Sequence, residues 1–390
     1  MKTTIAKDTT FVANTYARVP VVFEKGKGSI VTDENGKEYI DLGTGIGVTS
    51  FGFNDDVWTT AVKNQLDLIQ HTSNLYYNKP CADLAQLICT KTGMKKVFFS
   101  NSGAEANECA IKVARRYGEL KKGKECYKIV TLKNSFHGRT LATLSATGQD
   151  VFHQKFTPMP DGFLYLDAND VDGFDALTKN GDVCAIVMES VQGEGGVLPL
   201  DEKFVRGIIE IAKKEDILVI FDEVQTGNGR TGELYGYMNY GVTPDMFTTA
   251  KGLGGGLPIG ACVMGDKVEN VLGFGDHGST YGGNPVACAG AITVLDRLTS
   301  EFLSEVKIKG DYIKCALQGA KGIVSVTGKG LMVGIKTEKP VKEMLDKCRD
   351  LGVICLSAKD KVRLLPALNI PMEILKKAVE IIKQVAGEQI

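Results

Sequence analysis

The chain is predicted to be an α/β protein, with a mainly parallel central sheet covered by helices on both faces and a smaller α+β unit attached. Three observations predict it. From about residue 54, apolar strand-like runs alternate with segments of helical period, the texture of strands joined by helical crossovers. Short β-type runs with tight turns precede that region, and after about residue 290 helices and strands mix without the same alternation. A length of 390 residues also exceeds one ordinary core, which favours a large domain with a smaller one beside it. The expected division is an N-terminal segment 1–53 that joins the small domain, a large domain 54–289, and a C-terminal small-domain portion 290–390.

The elements follow in order. Val21-Val22-Phe23, Ser29-Ile30-Val31 and Tyr39-Ile40-Asp41-Leu42 are β-type runs, with Asn35-Gly36 between the last two as a hairpin signal, so a small antiparallel unit is expected first. The large domain draws its strands from Lys96–Phe99, Lys128–Thr131, Val183–Met188, Leu218–Phe221 and Gly260–Met264. Beyond residue 290 come a long helical pattern, a strand near Gly330–Ile335, a helix over Val341–Leu351, strands Val353–Leu356 and Val362–Leu365, and a last helix from Met372.

Charge is balanced, with 46 basic against 47 acidic side chains, so no long-range field recruits nucleic acid or an anionic membrane. No run approaches the ~20 apolar residues of a membrane span, and Met1–Pro20 carries charges without a continuous apolar stretch. A cytoplasmic protein acting on small molecules is the expectation. Ten cysteines include no C-x-x-C pair, and the histidines His71, His137, His153 and His277 lack an i, i+4 histidine partner. Reduced thiols and no protein metal centre are expected.

Chemistry concentrates in two places. Ile217–Phe221 is an apolar run that delivers Asp222 to a strand end, and Lys251 follows 29 residues later between Thr249-Ala250 and Gly252. Pyridoxal phosphate uses such a pair: a lysine amine holds its aldehyde as a Schiff base, and a carboxylate keeps its pyridine nitrogen protonated. The run Val97-Phe98-Phe99 leads into Ser100–Asn107 and then a helix with Ala106, Ala110, Val113, Ala114 and Tyr117 on one face. Strand, polar loop and helix start form an anion site in which the amides of Gly103 and Ala104 could hold a phosphate. Ser102 with Glu105 also reads as a plain capping box. Gly227-Asn228-Gly229-Arg230-Thr231-Gly232 matches the spelling of a dinucleotide loop, but the glycine-broken, aromatic stretch after it is no first helix for a pyrophosphate.

Together these pieces resemble the class III, ornithine-type pyridoxal phosphate aminotransferases, from about Tyr16 to the C-terminus. The resemblance rests on His71–Tyr77, Ser102–Asn107, Phe136-His137-Gly138-Arg139-Thr140, Gln192–Gly196, Asp222–Gly227 and Asp276–Pro285. It implies the aspartate-aminotransferase fold, fold type I of the pyridoxal phosphate enzymes, and a homodimer with active sites at the subunit interface. It implies Lys251 as the Schiff-base lysine and Asp222 on the pyridine nitrogen. Gln225 would lie near the ring hydroxyl, Phe136 on the ring face, and Glu223 and Val224 beside the cofactor. Gly103 and Ala104 would bind the phosphate, joined by Thr280 of the neighbouring subunit. For substrate, Arg139 would grip the carboxylate, Ser279 would contact it from the partner, Arg363 would take a second carboxylate, and Glu194 would mask Arg363 when none is present. The implied reaction passes the terminal amine of N2-acetylornithine to 2-oxoglutarate. Ornithine, succinylornithine and 4-aminobutyrate are the alternative donors. The chain departs from the family pattern at Gly52-Phe53-Asn54-Asp55 and at Glu189-Ser190-Val191.

Overall fold

A hairpin opens the ordered sheets of the chain in the computed structural model, which describes residues 3–388; positions 1, 2, 389 and 390, the outermost parts of the expected 1–53 and 290–390 segments, lie outside it. Strands β1 (Phe23–Lys27), β2 (Ile30–Asp33) and β3 (Glu38–Asp41) pair antiparallel in sequence order. The turn at Asn35-Gly36 closes on Asp33, whose carboxylate accepts from the Asn35 and Lys37 amides at 2.9 and 3.0 Å. Before this unit, the helix Thr4–Phe11 buries none of its side chains.

The central sheet has seven strands. They are β4 (Lys96–Ser100), β5 (Lys128–Leu132), β6 (Phe163–Leu166), β7 (Val183–Met188), β10 (Leu218–Asp222), β11 (Met246–Thr249) and β12 (Gly260–Met264), with a two-residue-strand hairpin, β8 (Val191–Gln192) and β9 (Leu198–Pro199), lying outside the sheet. Their spatial order is β4-β12-β11-β10-β7-β5-β6. Only β12 runs antiparallel to its neighbours. The link 250–259 that feeds it is too short for the helical crossover a parallel return requires. Every residue of β7, β10, β11 and β12 is buried, which explains why these strands read as continuous apolar runs rather than alternations.

Helices cover both faces. Gly103–Lys122 buries Ala106, Ala110, Val113, Ala114 and Tyr117 along one stripe, and Glu202–Lys214 does the same with Phe204, Val205, Ile208 and Ala212, the i, i+4 spacing of an amphipathic surface helix. At Gly118 a Cβ would stand 2.1 Å from the Cys126 carbonyl oxygen, so that helix reaches the sheet only because the position has no side chain.

The C-terminal part contains β13 (Ile323–Lys329), β14 (Met332–Thr337), β15 (Val353–Ile354), β16 (Leu356–Ala358) and β17 (Lys361–Leu364). Four of them form a sheet in the order β13-β14-β17-β16, while β15 leaves it to pair in parallel with β3, Val353 opposite Ile40. One strand was expected over Val353–Leu356; the chain instead splits it between two sheets. The long helical pattern after residue 290 likewise resolves into Pro285–Asp296 and Ser300–Leu317. Among the described residues, no helix is long and apolar enough to cross a membrane.

The loop Gly227–Gly232 binds protein, not a nucleotide. Arg230 is 2% exposed, and its Nη1 donates to the carbonyls of Leu331 at 3.1 Å and Pro366 at 2.6 Å. No carboxylate pairs with it among the described residues, and burial holds its pKa down to about 9. Asn228, Gly229 and Gly232 take positive φ, so the glycines serve the tight turns that aim this guanidinium at the C-terminal sheet.

Candidate active site

The sheet's strand ends and one helix start converge on a cavity of about 420 Å³, a size that suits a small cofactor with its substrate. Its lining includes Gly103, Ala104, Phe136, His137, Arg139, Glu189, Asp222, Val224, Gln225 and Lys251. Residues far apart in sequence thus meet where α/β sheets place their ligands.

Asp222 ends β10 and is 3% exposed. Three donors hold its carboxylate: Asn107 Nδ2 at 2.8 Å, His137 Nδ1 at 2.8 Å and the Val224 amide at 3.0 Å. Asn107 is itself fixed, donating to the His137 carbonyl at 2.8 Å and accepting from Thr248 Oγ1 at 2.6 Å. Burial works to lower the pKa of His137, but the hydrogen bond and charge of Asp222, with the charge of Glu189, outweigh it and the pKa is raised. The other ring nitrogen, Nε2, is buried without a partner.

Lys251 begins the turn that leaves β11, with φ 44°. A positive φ is uncommon for a residue with a Cβ and marks a conformation imposed by its surroundings. Here Asn228 Nδ2 pins the preceding backbone, donating to Thr249 Oγ1 at 2.9 Å and to the Ala250 carbonyl at 3.2 Å. Burial lowers the amine's pKa below the ordinary lysine value, opposed by the charges of Asp222 and Glu194.

At the cavity's other end, Gly103 opens a 20-residue helix capped by Ser102, whose Oγ accepts from the Glu105 amide at 3.2 Å. Glu105 Oε2 reaches back to the Asn101 amide at 2.9 Å. The capping reading and the anion reading therefore coexist: the cap consumes the Glu105 amide and leaves those of Gly103 and Ala104, which lack a carbonyl one turn earlier, facing the cavity. A Cβ at Gly103 would stand 2.6 Å from Val224 Cγ1, so a side chain would close the gap between helix start and cavity floor. Free amides at a positive helix end, a buried carboxylate at depth, a half-buried lysine and the apolar walls of Phe136 and Val224 fit a phosphate-bearing cationic ring such as pyridoxal phosphate.

Two arginines stand differently. Arg363, on β17 and 3% exposed, donates through Nη1 to Glu194 at 2.5 Å and to Gln225 Oε1 at 3.0 Å. Its Nε is buried without a partner. Gln225 Nε2 in turn reaches Glu194 at 3.4 Å. Arg139 is exposed, makes no ion pair among the described residues, and lies 4.3 Å from the Phe152 ring centroid and 5.5 Å from that of Phe136.

Three other expected residues lie elsewhere. Ser279 and the exposed Thr280 line a different cavity with His71, Asn74 and His277. Glu223, fully buried, turns away from Asp222: its carboxylate accepts from the Gly236 and Tyr237 amides at 2.6 and 2.8 Å and from Thr226 Oγ1 at 2.7 Å. Successive side chains of an extended strand point to opposite faces, so adjacency in sequence separates these two carboxylates in space. Thr248 does not stand out in the sequence; Asn107 enters only as the end of the Ser102–Asn107 block, and Glu189 only through the departure at Glu189-Ser190-Val191. The only signal for His137 was its place inside the Phe136–Thr140 block.

Comparison with known proteins places this architecture. The family model described as aminotransferase class-III matches residues 11–386. The acetylornithine aminotransferase of Haemophilus ducreyi is 47% identical over 383 residues, covering 98% of this chain and 98% of that protein. Among solved structures, the ornithine aminotransferase of Toxoplasma gondii superposes with a TM-score of 0.94 at 29% identity, over 99% of this chain and 95% of that one. The N-acetylornithine aminotransferase of Stenotrophomonas maltophilia gives 0.85 at 33% identity, over 98% of both chains.

Proposed function

Because the chain belongs to the class-III aminotransferases, enzymes that work with pyridoxal phosphate, we propose that it transfers the terminal amino group of N2-acetyl-L-ornithine to 2-oxoglutarate. The products are N-acetyl-L-glutamate 5-semialdehyde and L-glutamate, a step of arginine synthesis. The observation that carries this reading is the pair of unlike arginines, Arg363 masked by Glu194 at 2.5 Å and Arg139 unpaired. A donor whose reacting amine lies far from its single free carboxylate uses Arg139 and leaves Arg363 covered. Glutamate and 2-oxoglutarate bring a second carboxylate, which displaces Glu194 and takes the guanidinium in a paired hydrogen-bonded contact.

When bound, the cofactor supplies an aldehyde to carry the amino group and a protonated ring to draw electrons from the substrate carbon. On this reading the Gly103 and Ala104 amides hold its phosphate and Asp222 holds the ring nitrogen's proton. Asn107, His137 and the Val224 amide keep that carboxylate in place. Lys251 would take a proton at its Nζ from the donor's reacting carbon and give it up again within the same cavity, and its lowered pKa makes the neutral, accepting form easier to reach. Phe136 and Val224 exclude water from the ring faces. The amino group leaves one substrate and enters the other; the donor's new carbonyl oxygen comes from water, and the acceptor's carbonyl oxygen leaves as water.

The proposed assembly is a cytoplasmic homodimer, with the N-terminal segment 1–53 and residues 290–390 forming a small domain against 54–289. Support comes from bare apolar groups around the Ser279–Thr280 cavity: Leu75 is 86% exposed, and Tyr77 and Phe274 are as open as in a free chain. A second copy covering them would set Ser279 and Thr280 at its own lysine cavity. The test is a half-reaction panel that follows loss of the bound cofactor's visible absorbance with acetylornithine, succinylornithine, ornithine and 4-aminobutyrate at matched concentrations. Acetylornithine should react fastest, and last place for it would overturn the assignment.

A further inference from the structure

Glu189 has no part in the roles assigned above, although it lines the lysine cavity and is 4% exposed. It follows β7 directly, and its two oxygens accept from two different loops: Oε1 from the Phe136 amide at 3.0 Å and Oε2 from the Gly193 amide at 3.0 Å. The first loop leads from β5 to the helix Leu141–Ala146 and carries Phe136, His137 and Arg139. The second is the β8–β9 turn, which carries Glu194, the partner of Arg363. One carboxylate therefore spans the segment that presents the exposed guanidinium and the segment that presents the carboxylate masking the other.

Only the ionised form does this completely. A carboxylate accepts at both oxygens, whereas a carboxylic acid or an amide turns one end into a donor, which opposes an N–H already pointing at it. No cation pairs with Glu189 in the wall. The charged groups that face it are His137, Asp222 and Lys251. Burial raises its pKa to about 7, with the charge of Asp222 adding to the rise and those of His137 and the two amides opposing it. The ionised group accepts from both loops, and a proton on one oxygen weakens the hold on the loop that oxygen serves.

Resting on the aminotransferase reading, we propose that Glu189 is a positioning residue for substrate choice: ionised, it fixes the Arg139 loop and the Glu194 turn relative to each other, and protonation loosens one of them, so the balance between the distal-amine donor and the dicarboxylate acceptor depends on pH. The experiment uses holoenzyme and measures kcat/KM for acetylornithine and for 2-oxoglutarate from pH 5.5 to 8.5, in wild type and in Glu189→Gln. In wild type the ratio of the two constants should change about tenfold across neutrality, the scale of one lost hydrogen bond to a charged group. In Glu189→Gln the ratio should be flat with pH and lie near the wild-type low-pH value, with cofactor absorbance retained. Glu189→Asp, which keeps an ionisable group, should restore a pH-dependent ratio and serves if the glutamine variant does not fold. A ratio that tracks pH in Glu189→Gln as it does in wild type, or one that is flat in wild type, overturns the inference. Wild type that acts on ornithine but not on acetylornithine would instead fail the substrate assignment, leaving the ratio test to be read with ornithine.

Discussion

The floor of the cavity and its rim are built on opposite principles. At the floor every polar atom of Asp222, Asn107 and Thr248 is committed to another residue of the same chain, in a buried network from strand end to helix. At the rim, Arg139 lies over two aromatic rings without an ion pair among the described residues, and outside this cavity Thr280 is exposed and Leu75, Tyr76 and Tyr77 stand bare. The difference separates what one chain organises alone, the electrostatics of the reacting centre, from what remains open to substrate and to a second copy. An unpaired polar atom is costly in a buried network, and this one is satisfied within the chain except at His137 Nε2, which has no partner among the described residues.

The largest effect should come from the floor's own reactive group. Lys251→Ala should lower kcat by about 10³-fold or more, the scale of a lost general acid–base group, while equilibrium dialysis still finds phosphate-anchored cofactor. Borohydride treatment followed by intact mass should mark wild type and leave this variant unmarked. Next, Asp222→Asn should cost about 10²–10³-fold in kcat and, by removing the charge that raises it, bring the pKa of His137 down, an effect NMR titration of the ring can follow. Unchanged His137 titration would break the account of the floor.

Smaller effects sharpen the floor-to-rim boundary. Arg363→Ala should raise the KM for 2-oxoglutarate by about 10–100-fold, the range of a lost charged hydrogen-bond pair, and leave the acetylornithine half-reaction nearly unchanged. Thr280→Ala should weaken cofactor binding by only about tenfold. Its decisive test is the mixed dimer with Lys251→Ala, in which one of the two sites regains both intact residues and hence wild-type cofactor affinity. Affinity that stays low in the mixture would show that Thr280 serves its own chain.

Much of this was legible before any coordinates. Asp222 could be placed because five apolar residues must end somewhere, and Gly103 because a strand, a capped loop and a small-residue helix face follow one another without a gap. Strand β11 was not legible, since Met246-Phe247-Thr248-Thr249 is short and half of it is threonine, whose hydroxyls are absorbed by Asn107 and Asn228 only in three dimensions. The antiparallel sense of β12 depends on the span of the Lys251 loop, not on the composition of the strand. The contacts of Asn107, Thr248 and Glu189 escape for a shared reason: each acts through a partner distant in sequence, and a lone polar residue beside an apolar run carries no local mark of that partner.

The Arg230 contact is one of several that join the C-terminal sheet to the core, among them Arg363 to Glu194 and Thr44 to the Leu365 carbonyl. The Arg230 guanidinium holds the carbonyl of Leu331, at the entrance to β14, and that of Pro366, just beyond β17, and β17 carries Arg363 opposite Gly334 of β14. Arg230 thereby ties the stretch that carries Arg363 to the loop following Asp222, so that loss of its guanidinium would slacken the support beneath Arg363 from a distance.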